Sequence, residues 1–184
     1  MNHYIQIQIK PDDEMRENVL LNKVYTKLHK ALWTMKSTNV GVSFPKFNNR
    51  LGNIIRIHSK ETQLRTLQEM KWLGGLTGYC SISTIRPIPD DITKYRIISR
   101  KQANMTKAKL RRLIKRGSIS PDEIKNYKAK MFRQSLNAPF MELQSCSNGQ
   151  KHRRYIDFSD IVTKPNSGFF DSFGLSKNAT IPWW

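Results

Sequence analysis

The stretch YIQIQI, residues 4–9, alternates strictly between apolar and polar side chains. Ile5, Ile7 and Ile9 share one face of an extended chain, and Gln6 and Gln8 share the other. Because successive side chains of a strand point to opposite faces, this pattern predicts a strand with one buried face. Which sheet the strand joins depends on the segments that follow it.

Five further segments follow this strand over roughly the first 88 residues. Residues 16–36 have apolar side chains at helical spacing, and residues 59–73 form a second amphipathic helix with Ser59 as a plausible N-cap. The segments 40–45, 52–59 and 78–88 are typical of strands. The resulting order, β-α-β-β-α-β, predicts a ferredoxin-like domain, in which two helices cover one face of an antiparallel sheet.

A turn-rich joint, RPIPDDITK at residues 86–94, predicts a boundary between a ferredoxin-like domain, residues 1–94, and a C-terminal α+β portion, residues 95–184. The C-terminal portion begins with a strand at 95–102. Two helices follow, the first at about 106–116 with Gly117 after it, the second capped by Ser120 and Glu123. Three strands are predicted at 140–147, 151–158 and 168–176. The fold class is therefore α+β.

The net charge of +18 over 184 residues indicates an acidic partner, which could be a nucleic acid, an anionic membrane surface or an acidic protein. Residues 95–184 carry 18 basic and 6 acidic side chains, so most of the excess lies there. No apolar run approaches the roughly 18–20 residues that span a bilayer, and no signal peptide is evident. We expect a cytoplasmic protein without a membrane partner.

The helix at 106–116 is rich in basic residues and contains no acidic one. Like charges four residues apart destabilise a helix by a few tenths of a kcal/mol per pair, so contact with phosphates is the better explanation. Composition does not separate DNA from RNA. A single helix could enter a DNA major groove, but the preceding segment is a strand and the RNP signature of single-stranded RNA binding is absent. Hairpin RNA held by shape and phosphates fits better.

The four histidines form no metal-binding pair, and the acidic residues are scattered, so a two-metal nuclease is not indicated. Cleavage of RNA would then proceed by attack of the neighbouring 2′-hydroxyl, for which histidine is a suitable base. His29 lies at the border of the apolar stripe of its helix, where a structural role is the more common outcome and a chemical role the alternative.

Several motifs together resemble the CRISPR repeat-processing endoribonucleases of type I-F systems, the Csy-type members of the Cas RNA-cleaving family. The similarity runs nearly end to end: HYIQI, KLHKAL, GVSFP, RLGNIIRIHS, SRKQA, KLRRLIKR, SCSNGQ, GLSK and PWW. The resemblance implies metal-independent cleavage at the base of a repeat stem-loop by 2′-hydroxyl attack, with a 2′,3′-cyclic phosphate product. It also implies that the enzyme stays on the mature guide RNA as a subunit of a type I-F surveillance complex with other Cas proteins, and that it needs no cofactor.

The resemblance also implies roles for individual residues. The catalytic histidine corresponds to His29 and the active-site serine to Ser145, with Ser147 close by. Base readers at the foot of the stem correspond to Arg100 and Gln102. The remaining RNA-binding residues are Lys107, Arg111, Arg112, Lys115, Arg116, His152 and Arg153.

Two positions depart from the family pattern. Phe173 stands where the family has a tyrosine that would orient the histidine, so that role could be lost or pass to Tyr155 or Tyr25. His152 stands where an aromatic residue stacks at the foot of the stem. The first departure leaves an alternative function, a non-cleaving RNA-hairpin-binding subunit of a ribonucleoprotein complex.

Overall fold

The computed structural model describes residues 1–101, 105–136, 138–144 and 149–184. The strands and helices follow one another in this order: β1 His3–Ile9, α1 Glu17–Thr34, β2 Gly41–Ser43, β3 Ile54–Ser59, α2 Glu61–Glu69, a 3₁₀ helix Gly74–Tyr79, β4 Cys80–Ile82, β5 Arg86–Pro87, β6 Tyr95–Arg96, β7 Ile98–Lys101, α3 Lys107–Lys115, α4 Pro121–Leu136, β8 Phe140–Gln144, β9 Lys151–Phe158 and β10 Ile181–Pro182.

Strand β1 is a central strand of an antiparallel sheet with the order β2-β3-β1-β4, and β5 pairs with its first residues. The predicted alternation of β1 is confirmed: Ile5, Ile7 and Ile9 are buried, whereas Gln8 is exposed. Burial of each isoleucine contributes about 1.5–3 kcal/mol. Because a slip by one residue would turn all three toward solvent, the hydrophobic pattern determines the register of the sheet.

Helices α1 and α2 both contact β1. Helix α1 buries an apolar stripe that includes Leu20, Val24 and Leu28. Helix α2 begins one residue later than the expected Ser59 cap would place it. Its N-cap is Lys60, without a side-chain cap, because the Ser59 hydroxyl donates instead to the Asn39 carbonyl at 2.8 Å.

The second half of the chain adds two smaller sheets, β7-β9-β8 and β10-β6. The strand predicted at 95–102 is divided into β6 and β7. Apolar side chains from this half join the same buried cluster as the isoleucines of β1, so one core spans the residues on both sides of position 94. The contributing side chains include Ile98, Met141, Leu143, Ile156, Leu175 and Ile181.

Helix α3 buries little of its surface, with Leu110 as its buried residue, and its basic side chains are exposed. Of its apolar side chains, Leu110 is buried but Ile114 is 48% exposed. Thr106 caps the helix by accepting from the Lys109 amide, and the Tyr127 hydroxyl of α4 hydrogen-bonds the Thr106 backbone.

Helix α4 begins with the predicted capping box, which is confirmed. The Ser120 amide donates to the Glu123 carboxylate at 2.8 Å, and the Glu123 amide donates to the Ser120 hydroxyl at 3.3 Å. Gly117, between the two helices, has a φ of +63° and occupies the predicted C-terminal position of α3. Within the described ranges, none of the helices combines the length and apolar character that crossing a bilayer requires.

We expect acid to destabilise the fold through His58, which is fully buried on β3 and hydrogen-bonds the Ser43 hydroxyl at 2.8 Å. Burial, and secondly the charge of Arg56, lower the pKa of His58 to about 3 from an ordinary value of 6.5. Below pH 6.5 the unfolded chain therefore binds a proton at this histidine that the folded chain excludes. The free energy of unfolding consequently decreases as the pH is lowered. From pH 7 to pH 5 this residue should lower the free energy of unfolding by about 2 kcal/mol.

Urea unfolding at the two pH values measures this loss. The variant His58→Gln should remove about that amount of the pH dependence, and His152→Gln, at an exposed strand position, is the matched control. A pH dependence that is the same in His58→Gln as in the parent chain would show that another group titrates.

Candidate active site

His29 is held at the border of α1 by two contacts from the segment 171–176. Its ring stacks on Phe173, with centroids 3.5 Å apart and planes 10° from parallel. Its Nδ1 atom lies 2.9 Å from the Ser172 carbonyl oxygen. The side chain is only partly buried. Together these contacts fix both the plane and the rotation of the imidazole while leaving part of it exposed to solvent.

The Ser172 carbonyl also selects the tautomer of His29. A carbonyl oxygen can only accept, so in the neutral ring Nδ1 carries the hydrogen and Nε2 is the acceptor. Burial lowers the pKa of His29, the hydrogen bond to Ser172 opposes this effect, and the nearby charge of Arg154 lowers the pKa further. The imidazole is therefore neutral at pH 7, with a lone pair on Nε2 that can take a proton.

The segment that carries Phe173 is a turn, and the strand predicted at 168–176 is wrong. The Asp171 carboxylate accepts hydrogen bonds from the Phe173 and Leu175 amides, which a strand partner would otherwise occupy. Gly174 has a φ of +68°, where an added Cβ would overlap the Val42 side chain. The Gly174 carbonyl accepts from the Val42 amide at 2.9 Å, which ties the turn to β2.

Arg154 completes a three-layer stack with His29 and Phe173. Its guanidinium carbon is 3.5 Å from the Phe173 ring centroid, the same distance as the His29 ring, so the two groups occupy opposite faces of the phenyl ring. Arg154 is buried, and its Nε atom has no hydrogen-bond partner among the described residues. Burial, and secondly the proximity of Arg100, lower the pKa of its guanidinium.

Sequence reasoning missed Arg154 and named its neighbour Arg153. The available signal was the alternation of β9: Ile156 is buried, so Arg154, two residues before it, shares the inward face. Arg153 points outward, where it lies over the Phe140 ring at 4.5 Å and 3.7 Å from Glu142.

The two tyrosines named as possible substitutes for a tyrosine at position 173 lie in different places. Tyr25 is fully buried, and its hydroxyl donates to the Phe173 carbonyl, so this hydrogen bond stabilises the turn from the core side. Burial, assisted by the charge of Asp171, raises the pKa of Tyr25 well above its ordinary value. Tyr155 is on β9 and packs against Phe140 at 5.5 Å.

The remaining predicted residues are exposed on the surface or lie outside the described residues, and of them Arg100 lies close to Arg154. Ser145, Ser147 and Gln102 lie outside them. The strand β8, just before position 145, is tied to α1 because the Glu142 amide donates to the Asn22 side chain at 3.1 Å. Arg100 is exposed on β7 and His152 is exposed on β9. The predicted cations of α3 are likewise exposed: Lys107, Arg111, Arg112, Lys115 and Arg116.

The site therefore offers a neutral imidazole and buried positive charge on the far side of an aromatic ring, and the same chain carries the exposed cations of α3. In the parts of the chain that the structure describes, no three side chains of the kinds that ligate metals come together. Such an arrangement can abstract a proton next to a bound polyanion.

Comparison with known proteins identifies relatives of this chain. The family model described as CRISPR-associated protein (Cas_Csy4) matches residues 4–184. Two proteins named CRISPR-associated endonuclease Cas6/Csy4 are each 34% identical, with 100% of both chains covered; they come from Escherichia coli (strain UTI89 / UPEC) and Pseudomonas aeruginosa (strain UCBPP-PA14). The solved structure titled "Structure A of CRISPR endoribonuclease Cse3 bound to 19 nt RNA" covers 99% of this chain and 100% of its own, at 11% identity and a TM-score of 0.42. That last likeness is too distant to carry an argument.

Proposed function

This chain belongs to the CRISPR-associated protein family Cas_Csy4, and we infer from this membership that it is an endoribonuclease that processes CRISPR RNA. The family model and both relatives extend over essentially the whole of this chain, so the activity is inferred for the chain and not for one segment of it.

We propose that the enzyme cleaves at the base of a repeat stem-loop without a metal ion, using His29 as the general base. Nε2 of His29 takes the proton of a 2′-hydroxyl, whose oxygen attacks the adjacent phosphorus. The bond from phosphorus to the 5′-oxygen breaks, and that oxygen takes a proton from water, while His29 returns its proton to solvent, so no proton is gained or lost overall. The products are a 2′,3′-cyclic phosphate and a 5′-hydroxyl. Ser145, with Ser147, would hold the reacting groups in line.

The single observation that carries this proposal is the state of His29. A histidine that donates through Nδ1 to the Ser172 carbonyl and stacks on Phe173 is pre-oriented, and its lowered pKa keeps Nε2 unprotonated at pH 7. These contacts provide the orientation that a tyrosine hydroxyl would supply, so phenylalanine at 173 is compatible with catalysis. Neither Tyr155 nor Tyr25 is required as a substitute.

The RNA would be held by two sets of groups. Arginine can bind a guanine edge through two hydrogen bonds and glutamine an adenine edge, which suits Arg100 and Gln102 to reading the foot of the stem. The exposed cations of α3 would neutralise phosphates of the stem, and His152 and Arg153 would contact its end.

At the level of architecture, we propose a ferredoxin-like domain over residues 1–94 and an RNA-hairpin-binding portion over 95–184. The sheet order β2-β3-β1-β4 with α1 and α2 supports the first part. We further propose that the protein acts in the cytoplasm, binds precursor and mature guide RNA, and serves in a type I-F surveillance complex with other Cas proteins.

The mechanism predicts how cleavage responds to chelation and to the substrate's 2′-hydroxyl. A repeat-type RNA stem-loop should be cut at an unchanged rate in EDTA, because no step needs a metal ion. A 2′-deoxy substitution at the scissile nucleotide should abolish cleavage, because the nucleophile is gone. Gel analysis of end-labelled RNA measures both, and the all-ribo stem-loop without EDTA is the control.

Three outcomes would count against the proposal. Loss of cleavage in EDTA would require a metal-dependent mechanism. Cleavage of the 2′-deoxy substrate would require a nucleophile other than the neighbouring hydroxyl. Tight binding of the unmodified stem-loop without any cleavage would support the alternative, a hairpin-binding subunit that does not cut.

A further inference from the structure

We propose that a cavity on the Arg154 side of Phe173 binds one unpaired nucleotide that flanks the RNA stem, and that Phe169 is the surface on which its base stacks. This inference rests on the proposed function, because it adds a second contact to the same RNA. It concerns a part of the substrate outside the stem itself, next to the groups that Arg100 and His29 would contact.

The cavity has a volume of about 540 Å³ and a positively charged lining. Arg100, Arg154 and Lys177 supply three cations, against one carboxylate, Asp171. That carboxylate already accepts two backbone hydrogen bonds from its own turn. The remaining positive charge suits the phosphate of a nucleotide.

Phe169 lines the same cavity, and the residue is 78% exposed. Its backbone is nevertheless well fixed: its carbonyl accepts from the Ser176 hydroxyl at 2.8 Å, and the next amide, of Phe170, donates to the Thr38 carbonyl at 2.9 Å. Phe170 itself is buried against Gly41. A largely exposed phenyl ring on a well-fixed backbone is suited to contact a ligand.

The position of the cavity relative to His29 identifies the part of the RNA. Arg154 both lines the cavity and covers one face of Phe173, whose other face is covered by His29. Arg100, the proposed reader of the foot of the stem, also lines it. A group bound there would therefore lie next to both the last base pair and the cleaved bond.

An unpaired nucleotide is a ligand that uses both the cations and the exposed aromatic ring of this cavity. Proteins bind single strands with a basic groove and exposed aromatic rings on which bases stack. A base pair inside the stem has no free face to offer Phe169, and the outer face of the last pair is the one that His152 would contact in the proposed function. A simple anion would use the cations but not the ring. Because stacking is tolerant of sequence, the cavity would not select one base.

The experiment compares three RNAs that carry a 2′-deoxy scissile nucleotide: the bare stem-loop, the stem-loop with a short unpaired 5′ extension, and the stem-loop with a short unpaired 3′ extension. Fluorescence anisotropy gives the affinity of each. One extension should raise affinity roughly 5- to 150-fold, the range expected for one stacked base. Phe169→Leu should remove most of that gain, leaving only what the cations contribute, and Phe169→Trp should retain it.

Phe132→Leu is the matched control, since Phe132 is also largely exposed but lies on α4. It should keep the gain, and Phe169→Leu should leave affinity for the bare stem-loop unchanged. The RNA with the gain identifies the bound flank, and either flank supports the inference. If neither extension raises affinity, or if the gain is undiminished in Phe169→Leu, the inference is overturned. Failure to bind even the bare stem-loop would instead refute the proposed function.

Discussion

Replacing His29 by alanine should lower the rate of RNA cleavage about 10²- to 10⁴-fold, the usual contribution of a general base, while the stem-loop still binds. The variant loses Nε2 as the proton acceptor but keeps the cations that would hold the RNA. Single-turnover cleavage at saturating enzyme measures the rate without interference from slow product release. Trp33→Ala is the matched control, because Trp33 lies one turn further along α1 and is 71% exposed.

The pH dependence of the parent enzyme tests the same role. A general base acts in its deprotonated form, and burial lowers the pKa of His29 below its ordinary value of 6.5. The midpoint of the decline in cleavage rate on acidification should therefore lie below pH 6.5. Residual cleavage by His29→Ala should lack this decline. A variant that cuts at the parent rate would eliminate His29 as the base.

Neutralising four cations of α3 should lower affinity for the stem-loop by roughly 200- to 900-fold near 0.15 M salt. Each phosphate contact contributes about −0.7 to −0.9 to the slope of log K against log salt, so four lost contacts should flatten that slope by about 2.8 to 3.6. The substituted residues, each changed to glutamine, are Arg111, Arg112, Lys115 and Arg116.

Loss of folding is not expected to complicate this result. Arg111 and Lys115, and likewise Arg112 and Arg116, are like charges four residues apart, and their removal should stabilise an isolated helix slightly. The control changes the net charge equally at exposed positions outside the C-terminal half: Lys10, Lys46, Lys60 and Lys94. If the control variant loses as much affinity and slope as the α3 variant, binding depends on net charge and not on this helix.

Local sequence patterns predicted the elements that depend on local physics. The alternation around Ile7 and the apolar spacing of α1 determine which faces become buried, so the positions of β1 and α1 could be predicted from residues alone. The capping box of Ser120 and Glu123 and the positive φ of Gly117 follow from the same kind of short-range rule. The basic character of α3 also needs no tertiary information.

Predictions failed where a polar group could form a hydrogen bond either within its own segment or with a distant part of the chain. Ser59 has the chemistry of a helix cap, but its hydroxyl is used by the Asn39 carbonyl from a distant part of the chain. The segment 168–176 is apolar enough for a strand, yet Asp171 engages the amides of its own turn and Gly174 adopts a left-handed conformation against β2. Neighbouring residues alone do not show which hydrogen bond the Ser59 hydroxyl forms, or whether the segment 168–176 becomes a strand or a turn.

The chemical state of the site was decided at the tertiary level. The sequence by itself determined that His29 lies at the edge of an apolar helix face and that a basic helix follows. Both properties depend only on the order of residues within one segment, since that order sets the periodicity and the charge of a helix. Only the folded structure brings Ser172, Phe173 and Arg154 to that histidine, across more than 120 residues of chain. Burial and hydrogen bonding set a tautomer and a pKa, and both depend on which groups are close in space and not on which are close in sequence.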